Sequence, residues 1–202
     1  MTLVIDTLLA LGLAAAFGGA VAFWRRAIDD DRQEELRAMA ARRGWSLHVG
    51  GRGLGRAGTL RLASRGGHAW AVEMRADGDG VVTAYEADSP VWPEGTLLAV
   101  KGPVEPKGVA RALGPELARM AQGLVPVPGV EGALLLSDAD PSRRMILGDL
   151  ARVLAGWSGP GRPVLALSPE GLRLTLRGRM DRASRMEAFV DLAFDLSRVI
   201  GP

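Results

Sequence analysis

The chain has no cysteine. Disulfides, thiolate nucleophiles and cysteine-based metal sites are therefore excluded, while the redox compartment stays open. Histidine is nearly as scarce, with only His48 and His68. Two imidazoles without thiolates could hold a metal only with carboxylate help, and no HExxH-like spacing is present. A surface or strand-edge place is the default for both. Lysine is limited to Lys101 and Lys107, so nearly all positive charge is arginine. GC-rich coding accounts for that as well as any ligand does. The formal net charge is only +2, so no global field argues for nucleic acid as a partner. A P-loop, a G-x-S-x-G elbow and a paired-carboxylate motif are missing too. On this basis no catalytic, cofactor-binding or metal-ligating residue is assigned, and the chain is expected not to be an enzyme.

The strongest feature present is the run "LVIDTLLALGLAAAFGGAVAFW", Leu3 to Trp24. A helix of that length is about 33 Å long, which matches the hydrocarbon core of a bilayer. Backbone groups in lipid must pair internally, so a single span is helical. Asp6 is its only charge and sits near its start. Phe23 and Trp24 suit the interface, and Arg25 and Arg26 follow at once. Those arginines put the C-terminal part in the cytoplasm by the positive-inside rule. A cleaved signal peptide is the rival reading, with "AVA" at Ala20 to Ala22 as its site, but no basic residue precedes the apolar run. Gly12, Ala16 and Ala20 are spaced by four, as are Ala14, Gly18 and Ala22. Such faces let another transmembrane helix approach closely.

The expected organisation is α+β: a single N-terminal transmembrane helix, then a soluble domain with an antiparallel meander and a β-α-β-β-α C-terminal part. Residues 1–26 are the anchor and 27–44 a juxtamembrane helix, with Ile28, Leu36, Met39 and Ala40 as its apolar stripe and Gly44 as its stop. Residues 45–124 form an antiparallel β-rich subdomain with a helical end. Its evidence is the period of two in "TLRLA" and "AWAVEMR", and the Asp-Gly pairs of "ADGDG". Pro115 opens a short helix, and "VPVPG" at Val125 to Gly129 is an extended linker. Residues 125–202 form an α+β subdomain. There Asp140 and Pro141 open one helix, and Ser184 with Glu187 forms the capping box of the last.

Within "GGRGLGRAG", Gly53, Gly55 and Gly58 fit the G-x-G-x-x-G spacing of a dinucleotide loop. That loop needs a helix after it to hold the pyrophosphate, whereas "TLRLA" reads as a strand. A flexible connection between strands is the better reading. "DGDG" lacks the later ligands of a calcium loop. Arg143 and Arg144 stand in the first turn of a helix, against its dipole. Neutralisation by Asp138 and Asp140 is favoured; an anion held by these arginines and the helix amides is the other reading. Arg61, Arg173 and Arg177 point outward from strands, toward water, a partner or anionic lipid.

The expected function is therefore a non-enzymatic single-pass accessory, assembly or stabilising subunit of a larger inner-membrane complex, of respiratory or photosynthetic type. Its partners are other transmembrane subunits and membrane lipid, and it needs no cofactor. The alternative is a membrane-tethered module that binds an anionic ligand or lipid headgroup through Arg143 and Arg144.

Overall fold

The computed structural model describes residues 28–50, 59–64, 70–77, 80–88, 92, 95–102, 104, 113, 116–138 and 144–201. The apolar run with Gly12, Ala16 and Ala20 lies outside them. Among the described residues no helix is long and apolar enough to cross a membrane.

The described part is a mixed α+β domain built on one large antiparallel sheet. Its strands are β1 (Trp45–Gly50), β2 (Thr59–Ser64), β3 (Trp70–Asp77), β4 (Gly80–Ala87), β5 (Leu97–Lys101), β6 (Val125–Pro126), β7 (Ala133–Ser137), β8 (Val164–Ser168) and β9 (Gly171–Arg177). The helices are α1 over residues 28–43, α2 over residues 116–120, α3 (Arg144–Ala155) and α4 (Ala183–Ile200). The strand order is β1-β2-β3-β4-β9-β8-β5-β7-β6. Strands from segments 45–124 and 125–202 thus interleave in one sheet: β9 lies against β4, and β5 lies between β8 and β7.

The expected meander is present. β1 to β4 pair in succession, and Asp77 opposite Gly80 closes the β3–β4 hairpin where the Asp-Gly pairs stand. Alternation assigns one side chain in two to each face. Leu60, Leu62, Val72, Met74, Tyr85, Leu172, Leu174 and Leu176 are buried on the face covered by α1, α3 and α4. The opposite face divides in two. Over β5, β7 and β8 it carries a second apolar cluster, in which Leu98, Val100, Leu136, Val164 and Ala166 meet Leu113 and Leu117. Strands there are covered on both sides and read as continuous apolar runs rather than as alternations. Over β2, β3, β4 and β9 the same face is polar.

α4 buries Met186, Phe189, Val190, Ala193, Leu196 and Ile200, the stripe expected from its period, together with Leu192. Its capping box is not made. The helix starts one residue before Ser184, with Arg182 as an extended N-cap that makes no side-chain cap bond. Glu187 is engaged elsewhere: it accepts from Arg43 Nε at 2.6 Å, and Arg42 lies 3.5 Å away. Arg43 also binds Asp191 at 2.6 Å and lies over the Trp45 ring. Arg32 meets Asp181 at 2.8 Å. α1 therefore lies along α4 in the same direction, with Leu36, Met39 and Ala40 buried beneath. Val125 and Pro126, expected as linker, form the short edge strand β6 on β7.

Candidate functional site

The polar half-face gathers most of the described charged side chains that meet across strands. Register sets Arg61 opposite Glu73, 3.7 Å apart, and Glu86 opposite Arg173, 3.2 Å apart. Glu116, the first described residue of α2, leans onto this face. Arg173 grips Glu116 with both terminal nitrogens, at 2.6 and 3.2 Å, in the fork geometry that makes such pairs strong. Arg75 is 3.9 Å from the same carboxylate. The guanidinium of Arg173, 22% exposed, thus joins β4, β9 and α2. Its hydrogen bonds hold the Glu116 carboxyl below the usual range, with smaller help from the charges of Arg173, Arg75 and Arg119.

Beside this clamp, where β4 ends and the β8–β9 hairpin turns, lies a cavity of about 240 Å³. Ala87, Met120, Ala166 and Leu172 supply its apolar lining; Glu86, Asp88, Glu170 and Arg173 supply its charge. The hairpin is tight because Gly171 adopts a φ of +139°, where a Cβ would collide with the Ala87 carbonyl oxygen. Ser168 donates to Glu170 and, with a backbone bond, lowers that carboxyl's pKa. Glu116 and Glu170 are therefore anions at neutral pH, unsuited to general-acid work. The arginine of the cavity is already committed to two carboxylates, so the opening is net acidic.

The residues singled out from sequence do not converge here. Gly12, Ala16 and Ala20 lie outside the described residues, as do Arg143, Asp140, His68 and the glycines at 53, 55 and 58. The glycine segment joins β1 to β2, whose ends pair as Gly50 with Thr59. A strand, not a helix N-terminus, follows it, so the pyrophosphate-holding element of a dinucleotide loop is not next in the chain. Arg144 is the first described residue of α3. His48 is exposed on edge strand β1, opposite Arg61. Among the described residues no group of three metal-ligating side chains comes together.

The Arg173 clamp was not legible as a site. The alternation placed Arg173 outward, but only the β4–β9 register brings Glu86 beside it, and α2 brings Glu116. Lys101 was likewise silent in the sequence. It donates to the Trp157 carbonyl just beyond α3, placing a cation at that helix's negative end. Tyr85 sits in an aromatic cluster with Trp45, Trp70 and Phe194. Burial pushes its hydroxyl up to about 12, against a smaller opposing effect of the bond with Ser197. The phenol remains neutral in any physiological medium. Comparison with protein-family models, with curated proteins and with solved structures gives no match.

Proposed function

We propose that this chain is a non-enzymatic, single-pass accessory or stabilising subunit of a larger inner-membrane complex, with its domain on the cytoplasmic side. Leu3 to Trp24 would anchor it, and Gly12, Ala16 and Ala20 would form the face that meets a partner helix. The observation that carries this reading is the docking of α1. Residues 25–27 alone separate Trp24 from a helix that is ion-paired to α4 and packed on the core. An anchor so joined would hold the domain close to the bilayer instead of trailing it on a loose linker. That suits a part that braces an assembly. The polar half-face, with its committed ion pairs, supports positioning more than turnover.

Alkaline carbonate washing should leave the full chain in the membrane pellet. Replacing Gly12 and Ala16 by Leu keeps the run apolar, so membrane levels should hold while co-purification of a multi-subunit assembly falls. Val21→Leu is the matched control. Release by carbonate would end the anchor reading. Equal partner yield from the double variant and the control, or a native protein running alone in mild detergent, would end the subunit reading.

A further inference from the structure

The domain is electrically lopsided along its strands. β9 runs from Gly171 to Arg177, about 20 Å at the usual rise. At its start stand Glu86, Asp88 and Glu170 around the cavity. Asp138 belongs to the same end, since Ser137 pairs with Leu97, Leu97 with Leu167, and Leu167 with Leu172. At its other end, which by register also holds Asp77 of the β3–β4 hairpin, the chain reads "RGRMDRASR", Arg177 to Arg185: four arginines against one aspartate. That aspartate, Asp181, is taken by Arg32. Arg182 and Arg185 are exposed, and α4 has no acidic residue in its first turn.

The Arg32–Asp181 pair also fixes where the chain arrives. It sets the first described turns of α1 beside the 177–185 segment, while the α1 C-terminus lies farther along α4 at Glu187 and Asp191. The segment that leads back to Arg25, Arg26 and the apolar run therefore leaves from the basic end. Asp29, Asp30 and Asp31 open α1 there; Arg25 and Arg26 precede them in the sequence, and Arg32 is engaged by Asp181. α3 runs the other way: it follows β7 from the acidic end, and Lys101 meets Trp157 beyond its C-terminus. Arg144 thus begins a helix at the end away from α1's arrival.

We propose that the Arg177–Arg185 end is a seat for an anionic bilayer surface, with Arg182 and Arg185 meeting lipid phosphates while the acidic cavity faces away. The proposal rests on the anchor reading for its geometry and adds the surface, the orientation and the lipid charge. Each arginine near an anionic leaflet strengthens attraction, and arginine forks onto phosphate oxygens. An anchor alone would leave the domain free to tilt. The basic end opposite an anionic surface, with Glu86, Asp88 and Glu170 at the far end repelled from it, selects one tilt.

The chain's lack of cysteine allows single labels on the full protein. A fluorophore on Ser184→Cys should be quenched by headgroup nitroxide lipids in nanodiscs of equal phosphatidylcholine and phosphatidylglycerol; one on Glu170→Cys should not. Quenching at 184 should drop in phosphatidylcholine alone, and in 1 M salt, where screening acts within about 3 Å. Arg182→Gln with Arg185→Gln should reduce the docked-to-undocked ratio about 30-fold at low salt, while thermal melting stays as in the parent. Equal quenching at 184 and 170, or quenching at 184 indifferent to lipid charge, overturns the proposal. Flotation separates it from the anchor reading. A protein that floats in alkaline carbonate without lipid-charge-dependent quenching at 184 keeps its anchor and loses its seat. A protein stripped by carbonate, yet docked through 184 on anionic lipid, loses its anchor and keeps its seat.

Discussion

Tyr85 is the chain's single tyrosine, and its buried hydroxyl makes alkaline stability a readable quantity. Burial raises its pKa from an ordinary 10.0 to about 12. Above pH of about 10 the unfolded chain loses this proton while the folded chain keeps it. The folded state then binds more protons, and stability falls with pH until the folded group itself ionises near 12. The loss over that window is about 2 kcal/mol. Lysines are few and arginine does not titrate there, so the background is small. Tyr85→Phe should cost about 1 kcal/mol at pH 8 through the lost bond to Ser197, and should flatten the alkaline decline. Urea unfolding at pH 8 and pH 11 checks both; parallel curves for variant and parent would refute the assignment.

At the scale of elements, α1 is held to the domain by a narrow apolar stripe and by Arg43. That side chain serves Glu187, Asp191 and the Trp45 ring together, and the two carboxylates raise its pKa further above its already high value, chiefly through the Glu187 bond. Arg43→Met keeps much of the stem but removes the fork. It should cost about 1 kcal/mol, more at low salt than at high salt, with faster amide exchange in α1 than in α4. Uniform loss of protection across both helices would show that α1 is not a separate latch. Elements such as this were largely legible in the sequence. Periods of two marked β2, β3 and β9, and the stripe Met186, Phe189, Val190 marked α4, because one face of each is dry and the other wet. The cap of α4 was not legible. Ser184 and Glu187 have capping spacing, but Arg43, distant in sequence, claims the glutamate with a charge-assisted bond. β6 was not legible either, since two residues of extended linker carry no period; only β7 beside them makes a strand.

At the scale of the molecule, the strand order is what periodicity cannot reveal. Nothing local in β4 says that β9, rather than β5, will be its neighbour; partners are chosen by which edges and dry faces remain. The candidate cavity and the Arg173 clamp inherit this, because both exist only where β4 and β9 adjoin. Ala84 stands directly opposite Thr175, whose hydroxyl is buried without a hydrogen-bond partner among the described residues. Ala84→Cys with Thr175→Cys should therefore form a disulfide under oxidation and stabilise the chain by about 2–4 kcal/mol relative to the same variant kept reduced. Identical melting in both redox states would refute the adjacency. The same adjacency has a consequence during synthesis. A ribosome extends a chain at roughly 5–20 residues per second, so the first four strands emerge several seconds before their lateral neighbour does. Throughout that delay the rim of β4 offers bare amides and carbonyls beside an aromatic surface. That is a template for any extended chain nearby, another nascent copy included. The proposed anchor, Leu3 to Trp24, is made before any of these strands, and tethering each copy to the bilayer would keep such templates apart until translation delivers the strand that belongs there.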